Sequence, residues 1–279
     1  MSGGHENMEP SRQNFRNKGK KKFITWKRLL KTCFVILIIT VAGGVCFWLL
    51  DPNALGNYVA QSRVDQGNHM RVGQVKHGHK RKGYVYGTNS QASGDISQQQ
   101  LAKDARAGYP LKKLGEIAIP VQSGMRVGVH VSIFQGTSVT ALAYGAGTAI
   151  ANEKMGQGNY ALSAHNMANN ATYFSPLQNE LIANQRPYIY VTDHKRIYEY
   201  RVFSQNNQPK GKFIVPLTDT AVLNQPTNHQ PQITLTTCYE IPPDYANAQN
   251  RVIVKGGLVR SMSWHSAPSN QKKLFFNRQ

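Results

Sequence analysis

The chain has 279 residues, 33 Lys and Arg against 14 Asp and Glu, and a net charge of +19. That length admits one good-sized domain with appendages. The basic excess is spread along the chain, with nine basic and two acidic residues in 1–31, eight and four in 51–110, and sixteen and eight in 111–279. Such spreading argues against a single concentrated nucleic-acid-binding module.

Residues 1–31 read as a basic cytoplasmic tail, densest from Lys18 to Lys31. Residues 32–50 then run nineteen positions without a charge, about 28 Å as a helix, which matches the hydrocarbon core of a bilayer. The run ends Phe47-Trp48-Leu49-Leu50-Asp51-Pro52, with an aromatic at interface depth and no small-residue cleavage site, so it reads as an uncleaved transmembrane anchor. The preceding Lys/Arg cluster keeps the N-terminus in the cytoplasm and puts everything after Asp51 outside the cell.

Residues 51–110 are poor in apolar side chains and rich in Gln, Asn, Gly and Ser, which predicts a mobile extracellular linker with one short helix near Ser97 to Ala107. Within it, His77-Gly78-His79 lies among Lys76, Lys80, Arg81 and Lys82, a solvated basic patch and not a metal site. From residue 111 the texture changes. Short β-branched and aromatic runs at 117–120, 127–133, 160–163, 187–191, 197–203, 213–217, 233–237 and 251–256 are separated by Gly, Asn, Pro and Asp, the pattern of an all-β barrel or sandwich. Short helices are expected at Ser138 to Tyr144 and Pro176 to Glu180, and the Ser-, Asn- and Lys-rich residues 261–279 as a flexible tail.

The chemistry centres on Ile233-Thr234-Leu235-Thr236-Thr237-Cys238, an alternating strand that stops on a cysteine. Cys33 and Cys46 sit inside the apolar run, so Cys238 has no cysteine in the exported part with which to form a disulfide. Its thiol is then either a buried inert group or a reactive one. Among the histidines of 111–279, His130 falls in a strand, His194 in a turn, His229 in a polar loop and His265 in the tail. His165 follows a strand and opens a polar loop, a rim position like that of Cys238, and is the candidate base. Arg251 opens the strand after Cys238, where a guanidinium could hold a carbonyl or an oxyanion, or be merely solvated.

Thr234-Leu235-Thr236-Thr237-Cys238, Asn250-Arg251-Val252-Ile253-Val254-Lys255-Gly256 and Leu162-Ser163-Ala164-His165 resemble, in that order, the cysteine, arginine and histidine motifs of sortases. Gly147-Thr148, Tyr173-Phe174-Ser175-Pro176-Leu177 and Ile189-Tyr190-Val191-Thr192-Asp193 fall in the order of a class A member. The resemblance covers about residues 111–260 and implies an eight-stranded sortase-type β-barrel catalytic domain.

It also implies a cysteine transpeptidase that cleaves LPxTG-type sorting signals of surface proteins and transfers them to a lipid-linked peptidoglycan precursor. Cys238 would be the nucleophile, His165 the acid and base, and Arg251 the holder of backbone and oxyanion; Thr237 would help position the peptide or donate to the oxyanion, and Ala164 would contact the peptide. No cofactor is expected. Glu153 is the only acidic residue between Glu116 and His165, too few carboxylates for a calcium site. A pilus-type class C sortase and a non-enzymatic cationic wall-binding protein are the alternatives.

Overall fold

The computed structural model describes residues 26–50, 54–87, 98–206, 208–240 and 248–275. The basic tail up to residue 25 and the Asp51-Pro52-Asn53 junction lie outside them. Two units divide the chain, residues 1–51 and 52–279. In the first, helix α1 (Trp26–Leu50) starts six residues before the uncharged run, because Lys27, Arg28 and Lys31 are good helix formers. Its stretch Trp26–Cys46 is long and apolar enough to cross a membrane.

The second unit contains α2 (Ala54–Asn68), β1 (Val75–Lys76), α3 (Gln98–Ala105), β2 (Leu111–Ile119), β3 (Val129–Phe134), α4 (Val139–Tyr144), β4 (Ala146–Thr148) and β5 (Asn159–Ser163). Then come α5 (Pro176–Asn179), β6 (Tyr188–Thr192), β7 (Arg196–Val202), β8 (Lys212–Pro216), β9 (Gln232–Tyr239), β10 (Asn250–Ser263) and α6 (Ser269–Lys272). The strands pair in the order β2-β3-β4-β5-β9-β10-β7-β6, and β6 pairs back onto β2. Eight strands therefore close into a barrel, with β1 added to β2 and β8 to β10. Ile117, Ile119, Val131, Tyr160, Leu162, Ile189, Val191, Ile233, Leu235, Val252 and Val254 fill the interior. Their period of two along each strand is what the alternating sequence runs encode.

The barrel has eight strands as expected, yet not the expected eight. The run at 213–217 forms β8, which flanks the ring, and the missing member is the three-residue β4. β4 is illegible by composition because Gly147 must be small. A Cβ there would lie 2.3 Å from the Gly136 carbonyl oxygen. The helix expected at 138–144 is α4, capped by the Ser138 hydroxyl accepting from Ala141 N.

Residues 54–87 and 98–110 are not a mobile linker. Ala60 and Val64, one helical turn apart on α2, are buried in the barrel's core cluster together with Leu101 of α3. Gly67 lets α2 approach α4 so closely that a Cβ would meet the Tyr144 carbonyl oxygen at 2.2 Å. Low apolar content is no bar to docking here, because the three small or medium apolar side chains Ala60, Val64 and Leu101 are enough to seat the segment on the core. The expected flexible tail is also packed as far as residue 275. β10 continues to Ser263, and Ala267 and Phe275 are buried with Ala118 and Ile197.

Beneath that C-terminal segment, Glu116 is 1 % exposed and receives Lys113 Nζ at 2.9 Å, with His130 and His194 Nε2 at 3.5 and 3.4 Å. Burial pushes this carboxyl up, but the two nearby imidazoles and the Lys113 ammonium outweigh it and hold it well below the usual range. Both histidines thus have structural partners, as their sequence positions imply.

The packing of α2 yields a direct prediction. Val64→Asp puts a carboxylate where the side chain is 2 % exposed, and should cost about 2 kcal/mol or more. Thermal unfolding checks this; an unchanged Tm would mean that α2 is a detachable linker after all.

Candidate active site

β5 and β9 run parallel, with Ser163 opposite Thr236, and Arg251 of β10 stands antiparallel to Cys238. Continued two residues past Ser163, the parallel register brings His165 opposite Cys238. Three neighbouring strands therefore deliver an imidazole, a thiol and a guanidinium at one level. All three sit on the barrel's outer face, since the alternate residues Leu162, Ala164, Leu235 and Val252 belong to the interior cluster. The outer face is itself covered. His165, Cys238 and Arg251 are only 4 %, 3 % and 2 % exposed.

Arg251 Nη1 donates to Cys238 Sγ at 3.4 Å. Its Nε and Nη2 have no hydrogen-bond partner among the described residues, and neither has either ring nitrogen of His165. The ring of His165 meets Tyr173 edge-on, with centroids 5.5 Å apart and planes at 86°. Two unused donor positions on a buried guanidinium beside a thiol are what an incoming carbonyl oxygen requires.

Burial dominates the electrostatics. It pushes the Cys238 thiol up to about 11, against the opposing pull of Arg251. It pushes His165 down to about 3, with the Arg251 charge adding to the effect. At neutral pH the pair is therefore a neutral thiol beside a neutral imidazole, and Arg251 carries the charge of the trio. Attack by sulfur requires the thiol proton to leave, and an imidazole opposite Cys238 in the extended register is a group of the kind that can take it.

The side chains of Thr237 and Ala164, expected near the peptide, are both buried. Both side chains point into the barrel, because they occupy the parity opposite to Cys238 and His165. The Thr237 hydroxyl donates to the Ala164 carbonyl at 2.9 Å, and Ala164 N donates to Thr236 O at 3.1 Å. They tie the two strand ends together. Glu153 is likewise engaged by its own fold, its Oε2 accepting from Ala161 N at 2.7 Å, while burial raises its carboxyl to about 8. Among the described residues no group of three or more His, Cys, Asp or Glu is placed to hold a metal ion.

Two amides that the motifs do not mark also reach this level. Asn166 Nδ2 donates to the Cys238 carbonyl at 2.9 Å and to Gln178 Oε1 at 2.7 Å. Asn166 at least adjoins the histidine motif, whereas nothing in the sequence around Gln178 marks it out.

A closed barrel carrying a thiol, an imidazole and a guanidinium on three adjacent strands is built for acyl transfer through a cysteine. Residues 124–259 match the family model of the sortase domain. The chain is similar to Sortase A of Streptococcus agalactiae serotype III, 27 % identical over 267 residues, covering 92 % of this chain and 96 % of the relative. It is also similar to Sortase A of Bacillus anthracis, 30 % identical over 165 residues, 59 % of this chain and 69 % of the relative. A solved structure of Listeria monocytogenes sortase A aligns with 60 % of this chain and 99 % of its own, at 25 % identity and a TM-score of 0.48. The chain belongs to the sortase family and is a transpeptidase.

The raised thiol gives a pH prediction with a definite sign. Only the thiolate alkylates, so in the unliganded protein the rate at Cys238, followed by peptide mass spectrometry, should climb about tenfold per pH unit from 7 to 10. A rate already level by pH 8 would contradict the buried, neutral state.

Proposed function

We propose that this enzyme cleaves LPxTG-type sorting signals and joins the freed carboxyl end to an amine of a lipid-linked peptidoglycan precursor, fixing surface proteins to the wall. The observation that carries this reading is the shared level of His165, Cys238 and Arg251, with Arg251 Nη1 3.4 Å from Sγ.

In the first half-reaction the thiol proton passes to His165 as sulfur attacks the carbonyl carbon of the signal's threonine. Arg251 donates to the oxygen that becomes negative. As the tetrahedral adduct collapses, His165 gives its proton to the departing glycine amine, the Thr–Gly bond breaks, and a thioester remains on Cys238. In the second half-reaction the acceptor amine attacks that thioester and passes a proton to neutral His165. The thiol is then restored as the amide forms. One imidazole serves as base and acid in turn, which suits a residue that is neutral at rest.

The anchor is read as α1 with its N-terminus in the cytoplasm and residues 52–279 outside, supported by the Lys and Arg residues that precede and open the helix. Placing the catalyst at the membrane suits a lipid-linked acceptor. The class A assignment rests on the motif order and on similarity to relatives named Sortase A. No cofactor enters the proposed reaction.

Incubation of the enzyme with an LPxTG peptide and an amine should give both the cleaved fragment and the transfer product. Cys238→Ala should give neither. Arg251→Ala should lose about a hundredfold or more in turnover, the scale of one oxyanion donor. Near-normal turnover in Arg251→Ala would make that residue structural only, and product that persists in Cys238→Ala would remove the thioester route.

A further inference from the structure

The parallel ladder between β5 and β9 stops one step short of the nucleophile. Ala164 N donates to Thr236 O, so the next parallel rung would run from Asn166 N to Cys238 O. The side-chain amide of Asn166 makes that rung instead, through Nδ2 at 2.9 Å. The backbone is thereby released to turn away into the loop after His165.

Gln178 of α5 carries the edge further. Its Oε1 accepts from Asn166 Nδ2 at 2.7 Å and from Glu240 N at 2.9 Å, and its Nε2 donates to Glu240 O at 2.6 Å. The two amides thus cap the strand edge on the C-terminal side of Cys238, from its carbonyl to that of Glu240. α5 is itself fixed, because Lys212 Nζ of β8 donates to Gln178 O at 2.6 Å and to Leu181 O at 3.0 Å. At the other end Phe174 N donates to His165 O at 3.1 Å, and Met167 N to Ser175 Oγ at 2.7 Å.

We infer that Asn166 and Gln178 are positioning residues of the transpeptidation, a side-chain clamp that sets the height of the Cys238 sulfur against His165. Asn166 reaches the cysteine through its own carbonyl, and the same segment carries His165, so one amide fixes the spacing of nucleophile and base. Neither amide is assigned to the substrate. A displacement of about 1 Å at the sulfur is enough to cost on the order of a hundredfold in rate. The inference rests on the proposed roles of Cys238 and His165, and one arm of its test needs no peptide.

The test compares the full-length wild type with Asn166→Ala, Asn166→Asp and the half-buried Gln178→Ala, each first checked for folding by its Tm. Turnover and KM are measured with an LPxTG peptide, and alkylation of Cys238 by iodoacetamide with none. The clamp predicts that both alanine variants lose about tenfold or more in kcat with KM within twofold, and that their alkylation rates change as well. Asn166→Asp should be worse than Asn166→Ala at pH 8, where its carboxylate faces the Cys238 carbonyl. It should recover relative to wild type as pH falls and the protonated carboxyl can donate. A merely structural loss would not show that pH-dependent reversal.

Unchanged kcat and alkylation in folded Gln178→Ala and Asn166→Ala would overturn the clamp, as would a rise in KM alone. If the wild type fails to turn over the peptide, the substrate reading fails, while the alkylation arm still decides the clamp.

Discussion

The register between β5 and β9 is the constraint on which the site depends. These two strands are parallel neighbours although 73 residues separate Ala164 from Thr237. β6, β7 and β8 are made in between, and this pairing joins the two halves of the chain that the β2–β6 pairing closes into a barrel. A slip of one residue would turn His165 or Cys238 into the interior and empty the site. Several contacts oppose the slip. Tyr160, Leu162, Ile233 and Leu235 must all face inward, Thr234 Oγ1 donates to Asn159 Oδ1 at 2.7 Å, and the Thr237 hydroxyl reaches the Ala164 carbonyl. Core packing and catalytic alignment are thus secured by the same pairs of residues.

The site's polarity works against its burial, and the balance shapes the chemistry. Arg251 is the largest fully buried side chain and leaves two of its nitrogens without hydrogen bonds among the described residues. Its charge favours a thiolate on Cys238 and disfavours an imidazolium on His165, while desolvation disfavours both charged forms. Desolvation wins at the thiol, so the resting pair is neutral and the nucleophile arises only as the proton moves in reaction. Buried groups with shifted pKa values and unused donors are a poor arrangement for stability alone, and they cluster here where acyl transfer needs them.

Much of this was legible from the chain. The alternating runs give the barrel strands, Ser138 marks the cap of α4, and the motifs around His165, Cys238 and Arg251 mark three residues that the fold does bring together. What stayed hidden has physical reasons. β4 lacks a strand signature because Gly147 is there for close approach. α2 and the C-terminal segment look polar because Ala60, Val64, Ala267 and Phe275 are few and well placed. Thr237 and Ala164 adjoin the reactive residues in sequence, and strand alternation sends both inward for that very reason. Asn166 and Gln178 act through the backbone of other segments, a relation that only the folded chain exposes.

The proposed reaction turns on acylation of Cys238 by a sorting signal at this level of the barrel. The most direct measurement is intact-protein and peptide mass spectrometry of the enzyme trapped with an LPxTG peptide in the absence of amine. The expected product is an adduct with the mass of the peptide up to and including its threonine, held on Cys238 as a hydroxylamine-labile thioester. Cleavage of the peptide with Cys238 unmodified throughout, or an adduct on any other residue, would contradict it.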